Sequence, residues 1–174
     1  MDSKELRGLQ APIKELYRDE PEQALIALVA EGTLGAEDVS CSVQTGKALV
    51  EAGLHPKTGG TGLQVCSGDM LLQALVACAG VTLNAVATAL EIPVRGGTVR
   101  AEGDIDSRGT LGMAKDVPVG FRDIRLSFDL DTDADEDQLA TLLKLTERYC
   151  VVYQTLRASP PIDISLRHDG ADAG

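Results

Sequence analysis

The spacing of apolar residues changes along this chain, and each change marks an element. Over 69–90, DMLLQALVACAGVTLNAVATAL, the residues Leu71, Leu75, Cys78, Thr82, Ala85 and Ala89 recur at three- and four-residue intervals, the period of one helix face. Nearly every other position is Leu, Val, Ala, Met or Gly. The pattern predicts a central core helix buried on most sides, with Asp69 suited to its N-terminal turn. Gln73, Thr82 and Asn84 interrupt the run, which distinguishes it from a membrane span. After Pro93 the period drops to two. TVRAEGDID (98–106) and FRDIRLSFDLDT (121–132) alternate as antiparallel strands with one wet face, joined by the Gly- and Pro-containing loop SRGTLGMAKDVPVG. Helical spacing returns in DADEDQLATLLKLTERY (133–149). Acidic residues crowd its start, Lys144 and Arg148 stand near its end, and Leu139, Leu142, Leu143, Thr146 and Tyr149 form its inner stripe. Cys150 falls at or just past its last turn.

Upstream the pattern is looser. PIKELYRDEPEQALIALVAE (12–31) reads as two short helices split near Pro21, the second with Leu25, Leu28 and Val29 as its stripe. DVSCSVQTGKALVEAG (38–53) alternates as a strand or hairpin does. HPKTGGTG (55–62) is a Gly-rich loop, but no Lys-Ser/Thr pair follows it at the spacing of a phosphate cradle and no clear strand–helix frame surrounds it. Beyond the Pro160–Pro161 break, IDISLR (162–167) predicts a last short strand. The order of elements predicts an α+β domain, with two helices backing a mostly antiparallel sheet. The chain divides into an N-terminal helical arm (1–37), one domain (38–167) and a flexible tail (168–174).

Composition narrows the function classes. The 174 residues are 44% apolar, enough for one domain with a sizeable core. Lys+Arg number 16 against 27 Asp+Glu, a net charge of -11 that argues against nucleic acid as the main partner. No opening basic-plus-apolar signal segment and no run of transmembrane length is visible, so a cytoplasmic protein without a membrane partner is expected. The 4 cysteines are too few for a disulfide scaffold. Cys41, Cys66, Cys78 and Cys150 make no CxxC pair, and the histidines are His55 and His168 alone, so neither a metal nor another cofactor is expected. Neither histidine lies in a context that points to a cysteine, which argues against Cys–His hydrolysis. Redox chemistry remains. Cys78 and Cys150, on the two main helices, can cross-link if those helices cross there, whereas buried cysteines often act as inert small hydrophobes. A cysteine in mid-helix gains nothing from its own helix dipole, so activation of Cys78 calls for a nearby cation, and Arg148 and Arg157 are the candidates. Cys66, just before the helix, reads either as a third redox thiol or as space-filling, and Cys41 as structural.

Several stretches resemble one family. DMLLQALVACAGVTLNAVATALEIPV (69–94) is similar to the central cysteine helix of the OsmC/Ohr proteins, the osmotically inducible and organic hydroperoxide resistance proteins of the oxidative stress response. GDIDSRGTLG (103–112), PVGFRDIRLSFDLD (118–131) and LLKLTERYCVVYQTL (142–156) follow in the family's order, and the resemblance spans roughly 38–167. It implies an intertwined homodimer with curved, mostly antiparallel sheets wrapped around two central helices. It also implies a cysteine peroxidase, peroxiredoxin-like in its chemistry, with its site in an apolar pocket at the dimer interface. The cysteine matching Cys78 attacks an organic hydroperoxide and becomes a sulfenic acid, the one matching Cys150 resolves it as a disulfide, and a thiol or a dithiol such as a lipoylated protein restores the pair. The chain departs from the family pattern in one respect. Active members place a Glu ten residues before the first cysteine, paired with an Arg from an early strand. Gly68 stands at that position here, preceded by Ser67 in place of the usual Pro. Asp69 is adjacent but one methylene shorter, and Lys47 is the only basic residue of 38–54. Two functions are therefore expected to compete: a thiol-dependent redox protein, and a non-enzymatic dimer of the same fold that binds a small apolar ligand.

Overall fold

The structure is a computed structural model that describes residues 1–25, 27, 28, 30–34, 40–45 and 48–166. The tail expected over 168–174, Val29 and Lys47 lie outside the described residues.

The arm folds differently from its apolar spacing. One helix, α1 (Ser3–Asp19), replaces the first short helix and starts nine residues earlier than Pro12, which sits inside it. Its start is set by a capping box: the Asp2 carboxylate accepts from the Glu5 N–H at 2.8 Å, and the Glu5 carboxylate accepts from the Asp2 N–H at 2.9 Å. The second predicted helix shrinks to one 3₁₀ turn, Pro21–Ala24. Leu25 and Leu28, 83% and 89% exposed, form no inner stripe within this chain. Pro21 fits an opening turn, but among the described residues Leu25 and Leu28 stay exposed, and a short helix needs packing to persist. The end of the arm instead enters a sheet. β1 (Gly32–Leu34) pairs antiparallel with β2 (Ser40–Thr45), β2 pairs antiparallel with β3 (Ala48–Gly53) as the expected hairpin, and β4 (Val65–Cys66) joins β3 in parallel.

α2 (Ser67–Leu90) is the central helix. It packs against α4 (Glu136–Tyr149), α5 (Val151–Arg157), β5 (Val94–Ile105) and α1. Among the described residues it is the one helix long and apolar enough to cross a membrane, by length and composition. Its buried residues are Leu75, Ala79, Leu83, Val86 and Ala87, so only Leu75 of the predicted face is buried, and Leu71, Val81 and Leu90 are exposed. The reason is geometric. On a helix apolar nearly all round, the sequence pattern cannot choose a face, and a single chain covers one side. The core gathers Leu83, Val86, Ala87, Ile92 and Leu142, backed by Val94, Phe128, Leu130, Ala134 and Leu145.

β5 and β6 (Phe121–Thr132) form the expected antiparallel ribbon, with β5 starting at Val94. Gly97 is needed in that ribbon: its φ is +152°, and a Cβ there would stand 2.2 Å from the Asp129 carbonyl oxygen. Between the strands lies one short helix, α3 (Ser107–Thr110). α4 begins with a second capping box, Asp135 with Gln138. Leu142 and Thr146 of its predicted stripe are buried, Leu139 is half-buried, and Leu143 and Tyr149 are exposed. α5 was not expected from the pattern. The predicted last strand does not form either: Ile162–Leu166 runs without regular structure, with Ile164 93% exposed. A strand needs an edge to pair with, and neither sheet of this chain takes it among the described residues. The domain is α+β, and its strands form two separate, mostly antiparallel sheets.

Candidate functional site

Cys78 lies half-buried in the middle of α2. Cys150 is 1% exposed and serves as both the C-cap of α4 and the N-cap of α5. The packing of α5 on α2 brings them together, and the Cys150 thiol donates a hydrogen bond to the Cys78 sulfur. Why the chain turns here is local. Cys150 adopts extended backbone, φ −72° and ψ 107°, between two helical runs, and the second run starts in a new direction.

The donors around Cys78 are neutral. Burial pushes its thiol up. Against that, the Val152 N–H, the Cys150 thiol, the Thr82 hydroxyl and the Val151 N–H donate to the sulfur and bring it below the ordinary thiol value. Cys150 moves the other way. Burial raises it, the Tyr153 and Val152 N–H groups oppose that, and its own hydrogen bond to Cys78 and the charge on that sulfur raise it further. The pair is thus polarised: Cys78 is the readier thiolate and Cys150 the readier thiol.

The expected source of activation, a cation, is not among the groups that act on the sulfur in the described residues. Cys78 gains nothing from its own helix, but its sulfur faces the start of another, α5, whose first N–H groups have no intrahelical partner. Among the described residues no charged side chain acts on the Cys78 sulfur. Arg148 lies over the Tyr149 ring, 5.4 Å from its centroid, and Arg157 stands in the last turn of α5. Thr82 and the Val151 and Val152 N–H groups were not singled out as site groups. One legible signal was the Cys78–Thr82 spacing of four, one helical turn.

The other cysteines lie elsewhere. Cys66 caps the start of α2, twelve residues before Cys78, roughly 18 Å along the helix axis. It lines a cleft of about 670 Å³ with His55, Lys57, Asp69, Leu71 and Phe121, which neither Cys78 nor Cys150 lines. Gly68 also lines it, and a Cβ there would make only ordinary contacts, at 3.6 Å from the Cys66 sulfur and 3.5 Å from the Phe121 ring. Cys41 is on β2, and its side chain lies outside the described residues. Among the described residues no three His, Cys, Asp or Glu side chains group as a metal site requires. A smaller cavity of about 420 Å³ lies between α2, β6 and α4, lined by Leu83, Leu126, Phe128, Leu130, Leu139 and Leu142 among others.

Comparison with known proteins agrees with this architecture. The sequence profile of the OsmC-like protein family matches residues 60–165. No curated protein matches the chain in sequence. Among solved structures, an OsmC-like protein from Mycoplasma pneumoniae is 20% identical, with a TM-score of 0.63 over 77% of this chain and 89% of its own. An organic hydroperoxide resistance protein from Elizabethkingia anophelis is 17% identical, with a TM-score of 0.63 over 79% and 92%. Another, from Legionella pneumophila, is 16% identical, with a TM-score of 0.60 over 78% and 92%. At these identities the likeness is one of fold.

Proposed function

This chain belongs to the OsmC-like protein family, and from that premise we propose that it is a thiol-dependent peroxidase reducing organic hydroperoxides. The observation that carries the reading is the Cys78–Cys150 contact, with the lower thiol on Cys78 and the higher on Cys150. Its neighbours in fold include organic hydroperoxide resistance proteins, in keeping with a redox or stress-response role.

In this mechanism the Cys78 thiolate attacks one oxygen of the hydroperoxide O–O bond. The bond breaks, the alkoxide takes a proton and leaves as the alcohol, and Cys78 becomes a sulfenic acid. The Cys150 sulfur then attacks the Cys78 sulfur. Water leaves, carrying the hydroxyl of the sulfenic acid and the Cys150 proton, and a disulfide remains. A dithiol, such as a lipoylated protein, attacks that disulfide, takes it over by exchange, and returns both cysteines as thiols. The sum is hydroperoxide plus dithiol to alcohol, water and oxidised dithiol.

A homodimer belongs to the same reading. It is supported by apolar side chains that one chain leaves uncovered, among them Leu63, Ile162, Ile164 and Leu166, each four-fifths or more exposed. A cytoplasmic location fits a pair that must be re-reduced after every turnover.

The test is hydroperoxide consumption with a dithiol reductant. Cys78→Ser is expected to fall to the uncatalysed rate. Cys150→Ser is expected to react once and hold a trappable sulfenic acid on Cys78. Full turnover by Cys78→Ser overturns the assignment. A second reading, a binding protein for a small apolar ligand, draws on the apolar cavity between α2, β6 and α4. It gains if the wild-type protein consumes no hydroperoxide and forms no Cys78–Cys150 disulfide.

A further inference from the structure

The break between α4 and α5 changes the partner of one carbonyl. In an unbroken helix the Glu147 carbonyl would accept from the N–H four residues on. Here the chain turns at Cys150, whose backbone is extended, with φ −72° and ψ 107°. The Glu147 carbonyl accepts instead from the side-chain amide of Gln154, at 2.7 Å. That bond reaches back seven residues, from the first turn of α5 to the last turn of α4. A carbonyl only accepts, so the amide presents its NH₂ group there.

The bond closes a small frame around Cys150. The Cys150 N–H donates to the Thr146 carbonyl at 2.9 Å and completes α4. The Cys150 carbonyl accepts from the Gln154 N–H at 2.9 Å and opens α5. Each of these two bonds ties Cys150 to one helix, and neither fixes the angle between the helices. The Gln154 side chain spans both. Cys150 and Thr146 are buried and Gln154 is half-buried, so water competes little for this frame. Both helices joined at Cys150 pack on α2, the helix that carries Cys78. α5 has only seven residues, too few to hold a direction by itself.

We propose that Gln154 is a positioning residue for Cys150: its side-chain amide, bound to the Glu147 carbonyl, locks the angle between α4 and α5 and so holds the Cys150 sulfur toward Cys78. This rests on Cys78 and Cys150 being the redox pair. Its test, however, uses no hydroperoxide, so the two can fail separately.

The experiment uses the full chain carrying Cys41→Ser and Cys66→Ser, equilibrated in buffers of reduced and oxidised glutathione. Oxidation forms the Cys78–Cys150 sulfur–sulfur bond. Two electrons and two protons pass to oxidised glutathione, whose own disulfide breaks into two thiols. The fraction of Cys78–Cys150 disulfide is read by mass spectrometry after alkylation. Gln154→Met keeps the length of the side chain and removes its donor. It is expected to lower the oxidation equilibrium constant roughly three- to tenfold, the worth of one hydrogen bond read as an equilibrium ratio. If Gln154→Met fails to fold by circular dichroism, Gln154→Ala takes its place under the same criteria. A merely structural bond would weaken the reduced and the oxidised fold alike and leave that constant unmoved. An unmoved constant therefore overturns the proposal, even beside a loss of stability in denaturant, and leaves the peroxidase reading standing. A lowered constant in a protein that consumes no hydroperoxide keeps this proposal and sinks the catalytic one. A parent that forms no Cys78–Cys150 disulfide overturns both.

Discussion

The outer face of the β5–β6 ribbon and the contact between α2 and α5 use opposite electrostatic devices. The ribbon is dense with ion pairs. Arg125 meets Asp104 at 2.5 Å and Asp123 at 2.9 Å, Arg95 bridges Asp131 and Asp133, and just past the end of β5 Arg108 of α3 meets Asp106 at 2.5 Å. These pairs shift their own members strongly: the Arg108 guanidinium holds Asp106 down to about 2, and the Asp104 carboxylate raises Arg125. Most of them stand in solvent, where such pairs add little to stability. The cysteine contact holds no charged side chain among the described residues, yet it polarises two thiols in opposite directions. An arginine already engaged by its own sheet's carboxylates is not available to a sulfur, and a buried sulfur responds to a few well-aimed neutral dipoles.

Three outcomes would break or sharpen that contrast, in order of size. Behind the cysteines, Leu142→Ala removes a side chain 1% exposed in the core cluster, and a loss of about 2–5 kcal/mol is expected in denaturant unfolding. A loss near zero would mean that the packing holding α4 and α5 behind Cys78 is looser than described. Next, the two thiols should separate in pH. A lowered pKa reaches a given thiolate fraction at lower pH, so Cys78 is expected to begin alkylating below the ordinary thiol range and Cys150 only above it. Parallel profiles would remove the polarity of the pair. The smallest effect belongs to the ribbon. Arg125→Gln breaks two exposed ion pairs, and its melting temperature at moderate salt is expected to match the parent's. A marked drop would show that the ribbon's charges matter as much as the core.

Much of this was legible along the chain. Periods of 3.6 and 2 located α2, α4, β5 and β6, because the spacing of apolar residues follows the period of the element that carries them. The start of α1 was missed: the apolar pattern pointed to Pro12, whereas the Asp2–Glu5 capping box sets it at Ser3. Three features were not legible for physical reasons. α5 follows Cys150 directly, so no Gly or Pro marks its boundary. Ile162–Leu166 alternates as a strand does, but a strand exists only with an edge to join. The face of α2 could not be read, since its apolar residues run nearly all round.

The sequence by itself determined that two helices each carry or end on a cysteine, that the chain is α+β, and that neither the Glu nor the early-strand Arg of the family pattern stands ahead of Cys78. Only the tertiary structure decided what stands in the cation's place. The start of α5 comes to the Cys78 sulfur because of how two helices pack, whereas Thr82 stands one turn along the same helix. A hydrogen-bond donor works over a few ångströms of space, and residues 78 and 152 are far apart along the chain.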